Sequence, residues 1–130
     1  MEPLKSHNLP TPILLITTDL ACSSSVAGAA KRAGAELRTA LGLAGIDAKL
    51  EPEAPALAIL DLSTAGLNLQ DLVPQLRARL AEGGRIIAFG PHVHTARLGA
   101  AREAGCDLVV SRGEFHARLD DYLRQFTAPA

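Results

Sequence analysis

Four groups of residues have the types and spacing to do chemistry. The stretch Leu57-Ala-Ile-Leu-Asp-Leu-Ser63 sets a single carboxylate, Asp61, at the end of an apolar run. Burying a carboxylate is costly unless partners meet it. Thr17-Thr18-Asp19 closes a second apolar run, Pro12 to Ile16. Cys22-Ser23-Ser24-Ser25 places a thiol before small hydroxyl residues that can open a helix. Helix amides could hold an anion there and lower the thiol pKa, as in a cysteine-loop phosphotransfer subunit. The Cys-x5-Arg of cysteine phosphatases is absent, since Gly28 stands at the arginine position. Last comes His92-Val-His94, with His116 further along. Zinc needs three or four converging ligands, so these histidines read as polar residues around a turn after Pro91.

The elements that must position these groups alternate. Continuous apolar runs at Pro12–Thr17, Leu57–Leu62 and Arg85–Gly90 read as strands buried on both faces. Glu36–Leu41 is a weaker strand, and Asp107–Ser111 is the last. Between them the spacing predicts helices. One is capped by Ser23–Ser25 and ended by Gly34, and a short one lies around Leu43–Leu50. Another is capped by Asp71 with Pro74 in its first turn, and a fourth carries Leu98 and Ala101. Phe115, Leu119, Tyr122, Leu123 and Phe126 then form one amphipathic helix. This βαβαβαβαβα order implies a parallel sheet with right-handed crossovers and helices on both faces. No Gly-x-Gly-x-x-Gly follows the first strand. Five strands fit a flavodoxin-like three-layer α/β/α sandwich of order 2-1-3-4-5. Its crevice lies at the carboxyl ends of strands one and three, where Thr17, Thr18, Asp19 and Asp61 fall.

Composition narrows the function classes. A chain of 130 residues suits one domain. Thirteen basic and fourteen acidic side chains leave a formal charge of -1, which argues against nucleic-acid binding and electrostatic membrane attachment. The apolar runs are too short to span a bilayer. The opening MEPLKSHNLPTP lacks the apolar stretch of a signal peptide. Cys22 and Cys106 fit reduced thiols in a cytoplasmic protein. The domain is expected over residues 12–126, with 1–11 and 127–130 as flexible tails and no output domain.

From Pro12 to Phe126 the chain resembles the receiver domains of bacterial two-component response regulators. LAILDLSTAG around Asp61 and AAREAGCDLVVS from Ala100 to Ser111 carry the resemblance. The resemblance implies that Asp61 is the phosphoacceptor position, served by a histidine kinase. It also implies paired carboxylates ending strand one, a hydroxyl ending strand four and a lysine ending strand five. The matching positions hold Thr17-Thr18 with Asp19 one place later, then Gly90, then Ser111 with Arg112 behind it. Phosphoryl transfer depends on positioning and on neutralising the equatorial oxygens. These substitutions therefore imply an atypical, or pseudo-, receiver. It would signal through protein contacts without catalysis of its own, with phosphorylation at Asp61 and Mg²⁺ binding by Asp19 and Asp61 weak or lost. Asp61 would then be a structural carboxylate bonded to nearby amides or to Arg112. Receivers often dimerise through their fourth and fifth helices, so Arg97 or Arg102 could meet Asp120 or Asp121 across a twofold axis. A small-anion site at Ser23–Ser25 and phosphotransfer through Cys22 remain as alternatives.

Overall fold

The computed structural model describes residues 10–43 and 45–127. Five strands, β1 (Thr11–Ile16), β2 (Ala35–Ala40), β3 (Leu57–Asp61), β4 (Arg85–Gly90) and β5 (Leu108–Ser111), form one parallel sheet in the order 2-1-3-4-5. The helices are α1 (Leu20–Ala33), α2 (Ile46–Lys49), α3 (Leu69–Arg79), α4 (Thr95–Ala104), α5 (Arg112–Ala117) and α6 (Leu119–Thr127). This is the expected flavodoxin-like sandwich.

The central strands are apolar throughout because both of their faces are covered. Alternate residues enter different cores. Ile13, Leu15, Leu57, Ile59, Ile87 and Phe89 pack with α1, Phe115 of α5 and α6. Leu14, Ile16, Ala58, Leu60, Ile86 and Ala88 pack with Val73 and Leu76 of α3 and Leu98 and Ala101 of α4. This two-sided burial holds the strand ends in register, with Asp61 paired against Phe89 and Gly90 against Ser111.

Several boundaries differ from the sequence reading. The cap of α1 is Asp19, whose side chain accepts from the amides of Ala21 and Cys22. Ser23–Ser25 therefore lie within the helix and cannot open an anion site at its start. Gly34 ends α1 as expected, with φ 71°, a conformation that suits glycine. The cap of α3 is Asn68 rather than Asp71, so Pro74 sits past the first turn. The apolar side chains of Leu69 and Leu72 pack on the second core and draw the extra turn into helix. The short helix shrinks to Ile46–Lys49, behind Gly45 at φ 81°. The last helix is broken at Arg118, whose backbone (φ -115°, ψ 17°) leaves the helical region. Thr11 pairs in β1 and Thr127 ends α6, so each expected tail is one residue too long at its inner end. The outer parts, 1–9 and 128–130, lie outside the described residues.

Candidate functional site

The ends of β1, β3, β4 and β5 converge on Asp61, which is 1% exposed. Its two carboxylate oxygens have different company. Oδ2 accepts from the Thr17 hydroxyl at 2.7 Å. Oδ1 accepts from the Ser63 amide at 3.0 Å and faces Arg112 Nη2 at 3.5 Å. The Asp61–Ser63 bond is local turn chemistry, in which an aspartate bonds the amide two residues on. Thr17, buried at the end of β1, also accepts from the Asp19 amide at 3.0 Å. A single hydroxyl thus ties the carboxylate to the loop that opens α1.

Asp19 divides its oxygens in the same way. Oδ1 caps α1, while Oδ2 lies 3.6 Å from Arg112 Nη1. Arg112 is the first residue of α5 and follows β5 directly. Ser111 is the cap of α5 and accepts from the Glu114 amide, so its hydroxyl does not serve Asp61. The guanidinium also donates to Ser63 Oγ at 2.9 Å and lies 5.5 Å from the centre of the Phe89 ring. Phe89 is itself stacked on Phe115, 4.2 Å between ring centres.

The structure therefore brings together Thr17, Asp19, Asp61 and Arg112 from the sequence-predicted set. Thr18 is exposed, in keeping with a simple strand-end residue. Gly90 ends β4 with no hydroxyl to offer, and a Cβ there would lie 3.3 Å from Leu62 Cβ. Sequence reasoning missed Ser63 and Phe89. Ser63 carried a signal, its place two residues after an aspartate. Phe89 is found only once β3 and β4 are paired.

The arrangement does not suit a magnesium ion. Of the two nearby carboxylates, each has one oxygen hydrogen-bonded within the protein and the other facing a guanidinium. Among the described residues, no group of three or more His, Cys, Asp or Glu side chains could hold a metal ion. That includes His92, His94 and His116, the last of which packs edge-on against Phe89 and Phe115.

Cys22 is buried in the first core. Burial, then the charges of Asp61 and Asp19, push its thiol up to about 11 against a weaker pull from Arg112. An activated phosphocysteine needs a depressed pKa, so the cysteine-loop reading fails on geometry and electrostatics. The proposed helix-face charges are also engaged within the chain. Asp120 bonds Arg32 of α1, Asp121 bonds Arg124, and Arg97 donates to the Leu62 carbonyl. Asp120 is thus turned toward α1. Arg102 stays exposed and has no ion pair among the described residues. No described helix is long and apolar enough to cross a membrane.

No protein-family model matches the sequence, and no curated protein matches it significantly. Solved structures do match. A signal receiver domain of a response regulator from Bermanella marisrubri is 23% identical with a TM-score of 0.73, covering 90% of this chain and 98% of that one. A response regulator from Thermotoga maritima is 13% identical with a TM-score of 0.75, covering 93% and 100%. A response regulator protein from Burkholderia pseudomallei, containing a phosphorylated aspartic acid and a calcium ion, is 17% identical with a TM-score of 0.72, covering 91% and 67%. At these identities the likeness establishes architecture. The chain has the fold of response regulator receiver domains, with Asp61 at the carboxyl end of its third strand.

Proposed function

We propose that this chain is a cytoplasmic receiver-type signalling domain that works by protein contacts and has largely lost phosphorylation at Asp61. One observation carries the reading: both oxygens of Asp61 are engaged by Thr17, Ser63 and Arg112 in a site 1% exposed. A phosphoacceptor needs one carboxylate oxygen free to attack phosphorus, and cations left over to neutralise the transferred group. Here the Arg112 guanidinium that faces Asp61 is already shared with a second carboxylate, Asp19. The domain performs no catalysis and needs no Mg²⁺ in this reading.

Docking is supported by the surface around the same strand ends. The exposed large apolar residues Leu20, Leu41, Leu43 and Val93 all follow the carboxyl ends of strands. Exposed apolar side chains gathered at one end of a domain favour protein contact. The partner is a histidine kinase or another signalling protein, or a second copy meeting through α4 and the final helices.

Incubation with Mg²⁺ and acetyl phosphate, followed by intact mass, tests the proposal. The expected spectrum shows the unmodified chain. A stoichiometric phosphoryl adduct that disappears in Asp61→Asn would overturn it.

A further inference from the structure

We infer that Arg112 is the resident cation of the strand-end pocket, replacing a divalent metal ion and keeping the pocket independent of metal. The inference rests on the reading of Asp61 as an unphosphorylated carboxylate and adds how that state is held.

The geometry is that of a filled cation site. Asp61 Oδ1 and Asp19 Oδ2 both face the guanidinium, at 3.5 and 3.6 Å from its two terminal nitrogens. Ser63 Oγ accepts from it at 2.9 Å, and Phe89 offers its ring at 5.5 Å. These are the ligand types that suit a cation: two carboxylates, a neutral oxygen and an aromatic ring. Arg112 is fixed from behind, because it begins α5 immediately after β5 and Ser111 caps that helix. Magnesium would need the same facing oxygens at about 2.0–2.1 Å. It would meet them only by displacing a positive charge already seated between them.

Charge counting gives the consequence. Asp19 and Asp61 contribute two negative charges and Arg112 one positive charge. Without the guanidinium, the two carboxylate oxygens it faces would lose their shared counter-charge. The cheapest remedy is a divalent ion, so removal of Arg112 should expose a latent metal site.

The test titrates Mn²⁺ into the full chain, following the free ion by electron paramagnetic resonance, and measures melting temperature with and without Mg²⁺. Wild type and Arg112→Lys, which keeps the charge, are expected to show no saturable binding and no metal-dependent shift. Arg112→Gln, which keeps a planar polar group but loses the charge, should bind Mn²⁺ saturably and melt at a higher temperature with Mg²⁺ than without it. That gain should vanish when Asp19→Asn is added. Should Arg112→Gln be unfolded alone, Mg²⁺ or Mn²⁺ should restore its circular dichroism. Saturable Mn²⁺ binding by wild type, or an Arg112→Gln chain blind to both ions, would overturn the inference. A wild-type chain phosphorylated without metal would overturn the proposed function and leave Arg112's role standing. A metal-blind Arg112→Gln chain does the reverse.

Discussion

Two aspartate–arginine pairs sit at opposite ends of the sheet and differ in what surrounds them. At the amino end, Asp107 Oδ2 accepts from the Ile86 amide at 2.7 Å and from Arg77 at 2.9 Å. Arg77 also donates to the carbonyls of Gly84 and Gly105, tying α3 to the turns before β4 and β5. At the carboxyl end, Asp61 likewise accepts a backbone amide and faces an arginine. The lower arginine is 40% exposed and its aspartate 27%, whereas Asp61 is 2% exposed at its side chain. The lower arginine shares its donors with neutral carbonyls, the upper one with a second carboxylate. The same residue types thus make a staple at one end and, at the other, a pocket in which one guanidinium serves two carboxylates. Burial and the second carboxylate make the difference.

The largest expected effect separates the two ends. Asp61→Ala leaves Arg112 beside a vacated carboxylate site and strips Thr17 of its acceptor, costing about 3–5 kcal/mol by urea denaturation. Asp107→Ala, at the wetter end, should cost about 1–3 kcal/mol. Equal losses would erase the distinction.

A smaller effect reads both ends through their thiols. Cys22 lies near Asp61 and Cys106 near Asp107, and burial followed by those charges pushes each thiol from 9.0 to about 11. Between these values the unfolded chain has lost its thiol protons while the folded chain keeps them. Stability is therefore undiminished by this effect below pH 9 and falls as pH rises toward about 11. Cys22→Ala and Cys106→Ala should each flatten part of that slope in pH-dependent melts. A slope unchanged in both variants would separate the thiols from the pairs. The smallest effect is at the surface: Asp120→Ala removes an exposed pair with Arg32 and should cost only about 0–1 kcal/mol. A loss as large as that of Asp107→Ala would mean that this exposed pair, and not the shared apolar core alone, anchors α6 on α1.

The sheet was legible because its three central strands are apolar runs bounded by turns, so sequence order alone dictated the crossovers. Helix starts were less so. Three consecutive serines outweighed Asp19 in the reading of α1, yet a carboxylate directly after the strand is better placed to cap. The break at Arg118 has no sequence mark, since the apolar spacing runs through it unchanged. Within the site, Asp61 was found from its own strand, and Arg112 from the missing lysine beside it. Thr17's bond to Asp61, 44 residues away, and the Phe89 ring under Arg112 depend on strand pairing that no local pattern encodes.

The crowding at Gly90 bears on reversibility. A Thr or Ser in its place would set its Cβ 3.3 Å from Leu62 Cβ, so Leu62 must yield by a few tenths of an ångström to admit a strand-four hydroxyl. Arg112 would still occupy the cation's place. An engineer rebuilding phosphoryl chemistry here must therefore change both Gly90 and Arg112, on two different strand ends, with Leu62 yielding beside Gly90.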